Sequence, residues 1–263
     1  MKSISKLGPL FLIIILLGSV SNLNSQDDGR EFYQLKIYSF DSDEQVKATD
    51  SYLKDAYIPS LNQLGISTIG VFKEHVAHDT LIGKTYVLIP FGSIDDFLNL
   101  ESKLSALGSH VSLGSNYLEA VHDSPPYKRI ESVLMKAFVD MPKMAVPNLD
   151  GPRKERVYEL RSYESATEKL YKNKVDMFNA GGEVPLFDDL GFNAVFYAEV
   201  LSGPNMPNLM YMTTHENKEA QTANWKSFVD SPIWHKLKVR PEYQNNVSHI
   251  DKYMLYPTVY SDY

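Results

Sequence analysis

The chain has 263 residues, 43% hydrophobic and 22% charged, an ordinary globular balance with enough length for one large core or two smaller ones. Its 26 basic against 33 acidic residues give a net charge of −7 with no basic block, which argues against nucleic-acid binding. There is no cysteine, so thiolate catalysis, disulfides, Cys-ligated zinc, iron–sulfur clusters and a Cys-linked lipid anchor are excluded.

Lys2 and Lys6 precede the apolar run from Leu10 to Leu17, and small and polar residues follow from Gly18 to Ser25. That order is a signal peptide over residues 1–25, cut between about Ser21 and Gln26. The run is too short to cross ~30 Å of hydrocarbon, so the expectation is an exported protein, periplasmic or secreted, with no membrane span after cleavage.

From Glu31 the residues alternate: Phe32, Gln34, Lys36 and Tyr38 point one way, Tyr33, Leu35 and Ile37 the other, which predicts a strand. Asp41, Ser42 or Asp43 then caps a helix that Pro59 kinks and Gly65 ends. Strands are predicted at 66–75 and 84–91, separated by a turn at His78-Asp79. Ser93 caps a helix to about Leu104, a looser stretch covers 105–127, and 130–139 is a fourth strand. Prolines 142, 147 and 152 mark a linker. The second half repeats the order: strand 156–163, a helix from 165 broken at Gly181-Gly182 and resumed at 185–190, strands 191–200 and 208–215, helix 218–229, a short turn of helix at 231–235, and a closing strand 247–259.

Both halves read as β-α-β-β-α-β, the ferredoxin-like unit, over residues 31–140 and 155–263 with a linker at 141–154. Tyr158-Glu159-Leu160-Arg161-Ser162-Tyr163 echoes Tyr33-Gln34-Leu35-Lys36-Ile37-Tyr38, 125 residues earlier. Pro59 matches Pro185, Leu64-Gly65 matches Leu190-Gly191, and Tyr86 matches Tyr211. The expected fold class is therefore α+β: tandem duplicated ferredoxin-like domains packed sheet to sheet as an α+β barrel. On this reading Gln34, Lys36, Tyr38, Glu159, Arg161 and Tyr163 face the space between the sheets, while Tyr33, Leu35, Tyr158 and Leu160 face the helices. A polar-bearing face trapped between sheets lines a cavity or forms a network of pairs.

Tyr158-Glu159-Leu160-Arg161-Ser162-Tyr163, Pro185, Leu190-Gly191-Phe192, Trp225 and Ser231-Pro232-Ile233-Trp234 together resemble the NIPSNAP family. The resemblance is better in the second half; the first half carries Gln34 and Lys36 in place of Glu and Arg, and has no Trp. It implies the dimeric α+β barrel type of fold. It implies no settled enzymatic activity, and several members are associated with organelles, vesicle traffic or membranes. Relatives of that fold include cofactor-independent monooxygenases and haem-dependent enzymes, an analogy that fold alone cannot turn into function.

The candidate ligand-binding residues are Arg161, Glu159, Tyr163, Tyr197, Glu199, Tyr211 and His215. Arg161 can fork onto a carboxylate or enolate oxygen, although an Arg–Glu pair holding the fold together is the plainer reading. The tyrosines suit ligand orientation and ordinary strand packing alike. His215, or His235 beside Trp234, is a base or haem ligand in the sharper reading and a surface-turn histidine in the plainer one. Trp225 and Trp234 read as packing anchors. His75 and His78 do not make a convincing metal spacing, and no nucleotide-binding glycine fingerprint or nucleophile elbow occurs. The sequence thus supports an exported protein binding a small molecule between its sheets, with cofactor-independent chemistry open and no cofactor or metal called for. The alternatives are an interaction or scaffold module with a closed core, able to form a homo-oligomer, and more weakly a haem-binding protein.

Overall fold

The computed structural model describes residues 28–75 and 82–263; the signal-peptide segment and the His78-Asp79 turn lie outside the described residues. The N-terminal half contains strands β1 (Phe32–Ser39), β2 (Gly70–Glu74), β3 (Thr85–Phe91) and β4 (Arg129–Ala137). Helices α1 (Asp43–Tyr52) and α2 (Ile58–Gln63) follow β1, and α3 (Ile94–Ala106), α4 (Gly108–Leu113) and α5 (Ser115–Leu118) follow β3. The C-terminal half contains β5 (Val157–Glu164), α6 (Glu168–Phe178), α7 (Glu183–Asp189), β6 (Ala194–Ser202), β7 (Asn208–His215), α8 (Lys218–Asp230), α9 (Pro232–Leu237) and β8 (His249–Pro257). Among the described residues no helix is long and apolar enough to cross a membrane.

Local chemistry explains the main boundaries. Ser42 and Ser93 accept the backbone N–H of Gln45 and Asp96, satisfying donors that a helix start leaves unpaired. Residues 53–57 form a π-helical turn that joins α1 to α2 without a break, and Pro59 stands just after that turn. Gly182, at φ +89°, breaks the chain between α6 and α7 in a conformation that side-chain-bearing residues avoid. The stretch predicted as loose contains the short helices α4 and α5.

The strands close into one barrel in the order β1-β3-β2-β8-β5-β7-β6-β4. Each half keeps the ferredoxin-like order of its four strands, and the halves meet edge to edge at two seams. At one seam Phe72 lies opposite Pro257 and Glu74 opposite Leu255. At the other Met135 lies opposite Val200 and Ala137 opposite Ala198, beside a bulge at Leu134/Met135. Closure removes the four free edges that two separate sheets would expose.

The barrel interior is a packed apolar cluster drawn from all eight strands, including Tyr33, Phe72, Tyr86, Met135, Tyr158, Phe196 and Met212. This corrects the expected facing. Tyr33, Leu35, Tyr158 and Leu160 point into the barrel. Tyr38 and Tyr163 pack under the helices. The reason is desolvation. A closed barrel is cut off from water on every side, so it takes the more apolar face of each strand, and the polar Asn208 and Ser162 on that face bond to each other at 2.9 Å. The mixed face goes beneath the helices, where polar side chains find partners on the helices or reach the rim.

Candidate functional site

β5 projects Glu159, Arg161 and Tyr163 from one face toward the helices of the C-terminal half, because alternate residues of a strand share a face. Helix α8 lies across them and supplies Gln221 and Trp225, one turn apart on one face. Glu159 is fully buried, and both its oxygens are used. Oε1 accepts from Arg161 Nε at 2.7 Å and lies 2.5 Å from Nη2. Oε2 accepts from Gln221 Nε2 at 2.7 Å and from Trp225 Nε1 at 2.6 Å. The Arg161 guanidinium stacks on the Trp225 ring, 3.6 Å from its centroid, a close cation–π contact. Arg161 Nη1 also donates to the Tyr163 hydroxyl at 3.1 Å, which in turn accepts from Tyr211 at 2.8 Å.

Burial alone pushes the Glu159 carboxyl up, but Arg161 and the bonds from Gln221 and Trp225 outweigh it and hold the group below the usual carboxylate range. His215 closes the other side, its Nε2 3.9 Å from Glu159 Oε2. Its Nδ1 is 3.2 Å from Asn224 Nδ2, and its ring meets Phe192 edge-on. Burial pushes His215 down to about 4; the pull of Glu159 is too weak to reverse this, and Arg161 and Lys218 add to it. The imidazole is neutral at pH 7.

Five of the seven sequence candidates are thus brought together: Glu159, Arg161, Tyr163, Tyr211 and His215. Tyr197 joins them through its ring, stacked 5.6 Å from that of Tyr211. Glu199 does not join; it accepts from Arg30 Nη1 at 3.2 Å and from the Tyr171 hydroxyl at 3.3 Å. His235 uses Nε2 on the Val229 carbonyl at 2.8 Å. Trp225 and Gln221 were outside the candidate set, and the signal for them was two N–H donors four residues apart on a helix that crosses the Glu159 strand. Beside this network a second buried ion pair, Lys174 Nζ to Glu183 Oε2 at 2.7 Å, links α6 to α7. Glu164, His249 and Asp251 each place one ligand-type atom within 4.8 Å of the others across β5 and β8, a cross-strand grouping that linear spacing hides.

A groove of about 590 Å³ lies against this layer, between α7, the start of β6 and the inter-half segment. Met141, Ala145, Val184 and Ala194 make its apolar walls, Asp140 and Asp188 its acidic positions, and Tyr197 links it to the network. The network itself is internally paired: every charge in it has its counter-charge and hydrogen bonds. Its chemistry is that of a positioning frame, and the open space lies beside it.

Comparison with known proteins agrees with this architecture. No curated protein matches the chain. Among solved structures, a provisionally assigned monooxygenase from Lactobacillus acidophilus superposes with a TM-score of 0.54 at 13% identity, covering 87% of this chain and 94% of that one. A provisionally assigned monooxygenase from Fusobacterium nucleatum subsp. nucleatum superposes with a TM-score of 0.52 at 7% identity, covering 87% and 93%. An anthrone oxidase-like protein superposes with a TM-score of 0.51 at 11% identity, covering 87% and 92%. These likenesses establish a shared α+β barrel fold. The segment that carries the Glu159–Arg161 network, residues 158–262, matches the family model of NIPSNAP.

Proposed function

We propose that the chain is an exported small-molecule-binding protein whose ligand sits in the groove of about 590 Å³ beside Tyr197, not between the sheets. The observation that carries this reading is the pairing of a filled barrel interior with an open, mostly apolar groove placed against a rigid polar frame. Asp140 and Asp188 favour a neutral or cationic ligand with hydrogen-bond donors over an anion. Lys2, Lys6 and the apolar run 10–17 support export. The monooxygenase and oxidase-like names belong to the structural neighbours; at their low identity they support the fold and leave the reaction open.

Indole and tryptamine test the groove, followed by ligand-observed NMR. Both are expected to bind with one-to-one stoichiometry, and Ala194→Trp to weaken both by about tenfold or more, the equivalent of ~1.4 kcal/mol. Asp188→Asn is expected to weaken tryptamine alone. Binding that ignores Ala194→Trp, or no binding of either compound, contradicts the reading.

The closed barrel also favours a second reading, an interaction module acting through its surface as an oligomer; a monomer at all concentrations in light scattering counts against it. Haem fits less well. His215 is enclosed by Phe192, Asn224 and the Glu159 network, and His235 is engaged with a backbone carbonyl.

A further inference from the structure

One end of the barrel gathers polar groups that the apolar interior does not use. The alternation that turns Leu160 and Leu255 inward places Ser162 and Glu164 of β5, and Tyr253, Asp251 and His249 of β8, on the same face. Glu164 lies directly opposite His249, and Ser162 opposite Asp251. Glu164 is the last residue of β5 and His249 the first of β8, so this row stands at the rim, where the strands end. The side chains of His249 and Asp251 are 60% and 30% exposed there, whereas Leu255 is fully buried.

His249 Nε2 lies 3.1 Å from Asp251 Oδ1, and a carboxylate oxygen of Glu164 joins them so that all three atoms fall within 4.8 Å of one another. A metal ion holds imidazole nitrogen and carboxylate oxygen at about 2.0–2.2 Å, which sets such ligands roughly 3–4 Å apart. The widest separation at the rim exceeds that range by less than about 1 Å. The backbone that carries the ligands is already fixed. The Ser248 amide and hydroxyl both donate to the Glu164 carbonyl, at 2.8 and 3.1 Å, and Ser165 Oγ donates to the Asn246 carbonyl at 2.6 Å. An ion arriving from solvent takes the place of the proton shared by His249 and Asp251, so the site needs no enclosed cavity.

The rim also attracts cations. Burial first, and then Asp251, Glu131, Glu74 and Glu164, push the Tyr253 hydroxyl up, so four carboxylates act on one ring. Lys84, with its ammonium 5.9 Å from that ring, offsets one of them, and Glu74 accepts from the Tyr86 hydroxyl at 2.6 Å. Among the described residues no lysine or arginine forms an ion pair with Glu164 or Asp251. Asn208 of β7 adds an independent sign. It lies opposite Glu164 on the same face and is 2% exposed. Its Nδ2 donates to Ser162 Oγ at 2.9 Å, and its Oδ1 is buried with no partner. An acceptor left unpaired beside carboxylates is costly, and the shell of a cation relieves it.

We propose that Glu164, His249 and Asp251 bind one divalent metal ion of the zinc class at this rim, with Asn208 Oδ1 supporting its shell. One imidazole and two carboxylates suit zinc better than magnesium or calcium, which take oxygen ligands. The ion ties the end of β5 to the start of β8. β1 carries Ser39 at the place of Glu164, opposite Arg129, so the site belongs to the C-terminal half alone. It is separate from the groove beside Tyr197, and neither reading depends on the other.

Zinc chloride titrated into the chain, followed by calorimetry and by NMR of the histidine rings, tests this. One equivalent is expected to bind with a Kd of about 10 μM or tighter and to shift the His249 ring, and magnesium to bind at least about a hundredfold more weakly. His249→Gln and Asp251→Asn are each expected to weaken zinc by about tenfold or more. Both side chains reach solvent, so both variants are expected to fold. Lys252→Gln, on the other face of β8, and Ala194→Trp, in the groove beside Tyr197, are expected to leave zinc binding unchanged. No binding of zinc, zinc binding that survives His249→Gln, or magnesium binding as tight as that of zinc overturns the assignment.

Discussion

Replacing Glu159 by alanine is expected to cost about 3–5 kcal/mol of folding free energy, because it strands a buried guanidinium. Arg161 would keep only the Tyr163 hydroxyl and the Trp225 face. Gln221 Nε2 and Trp225 Nε1 would lose their acceptor at the same time. The double replacement Glu159→Met with Arg161→Met is expected to recover most of that loss, since it removes both charges and keeps the volume filled. Urea unfolding of the wild type, the single variant and the double variant measures this. A loss below about 1 kcal/mol for Glu159→Ala would show that the pair is not a structural element of the C-terminal half.

Acid is expected to weaken the fold through His215 well before ordinary carboxylates titrate. Unfolded, the ring takes a proton near pH 6.5; folded, it resists until about 4. Between those values the unfolded chain binds a proton that the folded chain refuses. The contribution is therefore complete above about pH 6.5, falls as the pH drops, and levels off near pH 4. At ~1.4 kcal/mol per pH unit the loss is on the order of 3 kcal/mol. Glu159, whose folded pKa is lowered, adds a further loss at more acid pH: its contribution is present above the ordinary carboxylate range and disappears as the pH falls through its folded value. His215→Gln is expected to flatten the limb between pH 6.5 and 4 and to leave the more acid limb in place. Stability that is level across that range in the wild type, or an unchanged slope in the variant, contradicts the enclosure of His215.

Strand alternation, helix caps and proline–glycine punctuation were legible because each acts locally. Ser42 and Ser93 cap where their type demands, and β7 spans 208–215 as its pattern predicts. Which face of β1 and β5 turns inward was not legible. Alternation defines two faces but does not say which is better shielded from water, and that follows only when the strand edges of both halves join. The same limit applied to the site. Glu159, Arg161 and Tyr163 share a strand and could be grouped from sequence. Trp225, Gln221 and the Lys174–Glu183 pair come from helices whose placement over the sheet is a tertiary fact. Gln34 and Lys36 were visible as departures from the Glu159–Arg161 pattern; that Gln34 turns toward Ser132 is a tertiary fact.

The two halves are held to share one closed, filled barrel, which is why the small-molecule ligand is assigned to the helix-covered layers. Hydrogen exchange at the two seams tests this most directly. The Thr258 amide donates to the Val71 carbonyl at 2.9 Å and the His75 amide to Met254 at 2.9 Å; at the other seam the Phe138 amide donates to Tyr197 at 2.9 Å. A closed barrel predicts that these amides are protected as strongly as the sheet centres and exchange only when the whole chain unfolds. Rapid exchange at either seam, with the sheet centres still protected, would mean two separate sheets with free edges and would contradict the account.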